Sequence, residues 1–125
     1  MKLNIVLLVW AIIVALFGLG FLLVPETLLA GYGETATSAH IAMARLYGGG
    51  SLALAVLGWL TRSITDSSAR RKNLTAILVY VLANLAVFLK ATLIDGNNRP
   101  SAWFNVLLPA VFLCLFGYFY FTKRD

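Results

Sequence analysis

Apolar residues fill four long stretches of the 125-residue chain with few interruptions: 3–24, 38–61, 74–94 and 102–121. Each has about the 20 residues that an α-helix needs to cross the hydrocarbon core of a bilayer. The stretches are continuous rather than alternating, and a barrel strand would be about half as long, so helices are predicted rather than strands. The expected fold is all-α, a four-transmembrane-helix bundle in which residues 1–125 make a single integral membrane domain. The first stretch is too long for the core of a signal peptide, and it ends in Val24-Pro25-Glu26 rather than in a small-x-small cleavage site. It is expected to be a retained span.

The connections refine this outline. Pro25 stops the first helix and suits the first position of another, with Glu26 favourable at its positive end. Leu28 and Leu29 give that segment an apolar side, so a short interfacial helix is predicted between spans one and two, ended by Gly31 or Gly33. Thr37 or Ser38 should then cap span two. Residues 62–72 are polar and read as an exposed turn. Asp95-Gly96-Asn97-Asn98-Arg99-Pro100-Ser101 is a turn sequence. Trp103 and Phe104 suit one membrane interface and Tyr118-Phe119-Tyr120-Phe121 the other. Pro109 should kink span four.

Span two raises the most specific question, because 40–60 reads HIAMARLYGGGSLALAVLGWL, with an arginine and three consecutive glycines. Ala44, Gly48, Ser51, Ala55 and Gly58 recur at helical spacing and form one stripe of small side chains. In lipid there is little hydrophobic force between helices, and small residues allow the close backbone approach that lets them associate. The stripe is therefore a helix-packing face. Its neighbour could belong to the same chain or to a second subunit.

Arg45 lies about 10 Å inside the start of span two at the usual rise per residue. An arginine at such depth costs about 2.5–3.5 kcal/mol unless it is paired or snorkels. Glu26, Glu34 and Asp95 are candidate partners. One reading has Arg45 pin the outer connection to the helices; the other has it bind an anionic head group or polar substrate in a basic pocket with Lys90, His40 and Tyr47 nearby. Snorkelling alone accounts for Lys90. Asn84 and Tyr80 could hydrogen-bond to another helix near mid-membrane.

Composition narrows the class further. The chain is 61% hydrophobic and 12% charged, too few charges to cover a soluble domain of this length. Its net charge of +5 is explained by distribution rather than by nucleic acid, which is not an expected partner. Lys2, the group Arg62, Arg70, Arg71 and Lys72, and the pair Lys123 and Arg124 alternate with connections holding Glu26, Glu34, Asp95 and only Arg99. Short basic segments stay cytoplasmic, so both termini and the middle connection are predicted inside a bacterial inner membrane. The lone cysteine, Cys114, can form no disulfide within the chain and reads as a packing residue. Asn73-Leu74-Thr75 matches a glycosylation sequon, but on the predicted inner side it is an accidental match.

No serine-histidine-acid set, glycine-rich phosphate loop or metal-ligand spacing is present, so neither metal nor cofactor is expected. No span holds an interior carboxylate. That disfavours a small proton-coupled exporter and the membrane sterol-isomerase group.

The run PETLLAGYG after span one, then ARLYGGGSLALAVLGW, then a basic connection, resembles the DoxX-like group of small bacterial four-helix membrane proteins, most closely over 25–62. The group's arginine followed by glycine maps onto Arg45 and Gly48. Some members are linked to membrane oxidoreductase assemblies, which in this chain would require a partner or a bound quinone. Three functions follow in order: a non-enzymatic interaction or assembly subunit, alone as a homo-oligomer or in a larger membrane complex; a binder or carrier of an amphipathic lipid- or quinone-like molecule around Arg45; and, least favoured, an enzyme.

Overall fold

A computed structural model describes residues 2–31, 37–94, 96 and 100–122, the side chains of 101 and 102 excepted. The fold class is the expected one. It is all-α, with helices α1 (Leu3–Leu23), α2 (Pro25–Gly31), α3 (Ser38–Thr61), α4 (Ser67–Leu89) and α5 (Pro100–Thr122), and no strand among the described residues. A π-helical turn, Lys90–Ile94, continues α4. Four of these helices are long and apolar enough to cross a membrane, which makes the chain a multi-pass membrane protein. Its exposed side chains include Leu23, Ile94 and Phe121, each more than 70% accessible. Apolar surface on that scale is what lipid-facing helices require.

The backbone divides into two compact units, Leu7–Arg62 and a second made of Met1–Val6 with Ser63–Asp125. In the first, α1 runs to Leu23 and Pro25 opens α2, where its missing N–H costs nothing. Leu28 of α2 lies over Gly20 of α1, so close that a Cβ on the glycine would be 2.8 Å from Leu28 Cδ1. The short helix thus folds against the end of the first long one. Pro25 is buried while Glu26 is exposed, as expected for a helix with one apolar side. Gly31 is its last residue; Gly33 lies outside the described residues. Thr37 caps α3, its hydroxyl accepting from the His40 N–H at 3.2 Å.

In the second unit the helix expected over 74–94 begins seven residues earlier, at Ser67. Residues 62–72 are therefore not an exposed turn throughout. Asp66 is the N-cap, accepting from the Ala69 N–H at 3.2 Å, and Arg70 is buried. The reason is dimensional. The span Ser67–Ile94 has 28 residues, about 42 Å at the helical rise, against ~30 Å of hydrocarbon. Its surplus falls at the polar N-terminal end, and a helix in the headgroup layer needs no apolar sequence. The core of this unit includes Ile77 and Val81 of α4 and Phe112, Phe116 and Phe119 of α5. Phe112 and Phe116 stack at 5.9 Å. α5 is helical through Pro109. Asn84 Nδ2 donates to the Tyr80 carbonyl of its own helix at 2.8 Å.

Candidate functional site

α3 presents two different small-residue faces. Ala44, Gly48, Ser51, Ala55 and Gly58 are all buried, and α1 lies against them within the same unit. Gly18 and Gly48 meet where the helices cross. A Cβ on Gly48 would be 2.6 Å from the Gly18 carbonyl oxygen and 3.0 Å from the Leu22 nitrogen. A Cβ on Gly18 would be 2.9 Å from the Gly48 carbonyl oxygen. Further along, Gly58 receives the Trp10 ring, with a ring carbon 2.8 Å from where a Cβ would stand. The neighbour of the stripe is thus supplied by the chain itself.

The other two glycines of the triplet face elsewhere. A Cβ on Gly49 or Gly50 would find nothing within 4 Å. Ala42, Arg45, Gly49 and Ala53 are all exposed. Arg45, Gly49 and Ala53 are spaced i, i+4, i+8, one above another on the helix. At about 100° per residue they lie roughly 100–180° round α3 from Ala44. Sequence reasoning missed this second face because a run of glycines looks the same from either side; only the fit of α1 onto one side separates them.

No carboxylate among the described residues pairs with Arg45. Of its three candidate partners, Glu26 is exposed on α2, and Glu34 and Asp95 lie outside the described residues. Two further members of the expected pocket stand on α3 itself, but on a different side from the arginine. His40 and Tyr47, seven residues apart, share one flank, about 140–160° from Arg45. His40 is exposed, and Tyr47 packs edge-to-face on Phe21 of α1 with ring centroids 5.3 Å apart. Lys90 opens the π-helical turn of the other unit and is exposed.

A second polar constellation sits at the start of α4. Ser67, Ser68, Arg71, Lys72 and Thr75 occupy one side of that helix, and with Tyr120 of α5 they line an open cleft of about 460 Å³. Arg71 is fixed there twice, its guanidinium carbon 4.4 Å from the Tyr120 ring centroid and its Nη1 donating to the Tyr120 carbonyl at 2.6 Å. The Thr75 hydroxyl donates to the Arg71 carbonyl at 2.9 Å and lies 3.3 Å from Tyr120 Oη. Beside it the Arg70 guanidinium donates to the Asn4 side-chain oxygen. The available signal was the hydroxyl–cation pattern at i, i+1, i+4, i+5 and i+8 from Ser67, whose cations also fit the alternation of basic and acidic connections. Among the described residues no three His, Cys, Asp or Glu side chains could hold a metal ion, and Cys114 is exposed.

The chain belongs to the family described as "Domain of unknown function (DUF8292)", whose model matches residues 8–125. No curated protein and no solved structure matches it.

Proposed function

We propose, for a family that carries no assigned activity, that this chain is a non-enzymatic interaction subunit of the bacterial inner membrane, with both termini cytoplasmic. The observation that carries the reading is the exposed face of α3, where Arg45 stands beside Gly49 and Ala53 with no carboxylate paired to it among the described residues. A small-residue face lets a second helix come close, and a cation at membrane depth has a strong requirement for an opposite charge.

The occupant is a spanning helix of a different protein, carrying an Asp or Glu about two turns inside the same surface. Charge argues against a second copy. The chain's five acidic residues are Glu26, Glu34, Asp66, Asp95 and Asp125, none of them interior to a span. The inner stripe, which sequence alone offered as an assembly face, is already filled by α1. The orientation rests on the alternation of basic and acidic connections. The DoxX-like resemblance over 25–62 agrees with assembly into a larger complex.

The test is site-specific photo-crosslinking from position 49 in cells of the native host. One protein adduct is expected, lost in Arg45→Glu and restored when an acidic residue in the partner's span is changed to Lys. Adducts with lipid alone, or a protein adduct indifferent to the charge at position 45, would refute the proposal.

A further inference from the structure

The cleft at the head of α4 is built from residues of its own unit, and its chemistry is that of an anion site. Its lining combines two cations, Arg71 and Lys72, with four hydroxyl groups, those of Ser67, Ser68, Thr75 and Tyr120. The cations and the Ser67, Ser68 and Tyr120 hydroxyls can offer charge and hydrogen-bond donors to the oxygens of a phosphoryl group, the Thr75 proton being engaged by the Arg71 carbonyl. Arg71 is oriented in advance. Stacking on Tyr120 and the bond to its carbonyl hold the guanidinium, and that bond uses only one of its five N–H donors. A cation held in place loses less freedom on meeting an anion than a free surface side chain does. Lys72, Ser67 and Ser68 are exposed and accessible to a ligand. Asp66, which directly precedes α4, is engaged as its N-cap by the Ala69 N–H.

Depth selects the source of the anion. Ser67–Ile94 is longer than the hydrocarbon is thick and its polar residues are at the N-terminal end, which on length and polarity would put this end in the headgroup layer. Phosphate oxygens of lipids are the commonest anions there. Aromatic side chains of the terminal turn of α5, Tyr118 and Phe121, are exposed beside the same end, as at a membrane interface.

We propose that this cleft binds a phosphoryl group, presented by the headgroup of an anionic phospholipid in the same leaflet. The site would fix the depth of α4 and α5 in the membrane and retain one lipid on the protein. It rests on neither Arg45 nor a partner protein.

The experiment uses the full chain, purified and delipidated, with phosphatidylglycerol or phosphatidylcholine titrated in and the retained lipid read by native mass spectrometry. A separate titration with inorganic phosphate gives the second arm. Phosphatidylglycerol should be retained at least about five-fold better than phosphatidylcholine, and Lys72→Gln should remove about five-fold of that preference, the usual effect of one cation near a membrane surface. Tyr120→Phe, which keeps the ring under Arg71, should weaken retention less than Arg71→Gln. Lys2→Gln removes a charge outside the cleft and should leave the preference intact. Inorganic phosphate that binds alone, competes with the lipid and responds to Lys72→Gln would assign the same site to free phosphate. Equal retention of the two lipids with no phosphate binding would overturn the proposal. So would equal losses in Lys2→Gln and Lys72→Gln, which would reduce the effect to net charge.

Discussion

Replacing Gly48 and its neighbour Gly49 separately by alanine compares two identical chemical changes, one facing α1 and one facing away from it. At Gly48 the new methyl would lie 2.6 Å from the Gly18 carbonyl oxygen, 3.0 Å from the Leu22 nitrogen and 3.0 Å from Phe21 Cβ. Two of these atoms are backbone, so no rotamer change relieves the overlap. α1 must withdraw by about 0.8 Å to bring 2.6 Å up to the 3.4 Å of ordinary contact. Overpacking of this kind costs about 1–3 kcal/mol. Alanine also gains up to about 1 kcal/mol of helix propensity over glycine, but that gain is common to both variants and cancels between them. Gly49→Ala meets nothing within 4 Å, so it should be neutral or more stable than the parent.

The expected difference between the two variants is therefore about 1–3 kcal/mol, measured by reversible unfolding of the purified chain in mixed micelles. A reciprocal change sharpens the test. Gly18→Ala overlaps Gly48 from the other side, at 2.9 Å, and needs only about 0.5 Å of the same withdrawal. Once Gly48→Ala has moved the helices apart, the second methyl is largely accommodated. The double variant should lose clearly less than the sum of the singles, the behaviour of residues that share one contact. Equal stability of Gly48→Ala and Gly49→Ala, or strict additivity with Gly18→Ala, would refute the close approach of α1 and α3 at this crossing.

Three further outcomes are expected. Asp66→Ala removes the cap of α4 and should cost about 1 kcal/mol, read as a lowered unfolding free energy in the same assay; no change would mean that α4 does not begin at Ser67. The Thr92 hydroxyl is buried in the π-helical turn with no hydrogen-bond partner among the described residues, so Thr92→Val should be neutral or stabilising by about 1 kcal/mol; a loss of stability would reveal a partner for that oxygen. Reporter fusions at the C-terminus and within 63–65 should both report the cytoplasm, and one at Gly96 the opposite side, by the positive-inside pattern; opposite sides for the first two would overturn the orientation.

Hydropathy located the helices well because lipid imposes a single requirement on all four. It placed the ends of α1 and α3 within a residue, where Pro25 and Thr37 supply local stop and start chemistry. It failed at the start of α4 for a physical reason. Ser67 to Asn73 is polar enough to pass for a turn, yet a capped helix is stable in the headgroup layer without apolar residues. The same polarity hid the cleft. Its cations served a topology argument, and nothing in the sequence shows that Arg71 reaches across 49 residues to the Tyr120 carbonyl. The packing stripe of α3 was legible as a period, but its neighbour was not, since close backbone approach leaves no mark on the identity of the partner helix.

The two faces of α3 differ in a way that bears on what each can recognise. Gly48 and Gly58 match features of α1, a carbonyl oxygen and an indole ring, through shape alone. Shape suffices there because α1 is tethered to α3 through a short connection and is present at high effective concentration. A helix arriving from another protein has no such advantage, and small residues are common among membrane spans. If that face takes a partner helix as proposed, discrimination must come from a term that wrong partners cannot supply. Arg45 provides one. It offers a charge pair to a helix with a carboxylate at the matching depth, and an uncharged helix leaves the guanidinium without one. If the proposal holds, Arg45→Leu should not abolish association through Gly49 and Ala53. It broadens it, and crosslinking from position 49 should then capture several membrane proteins in place of one.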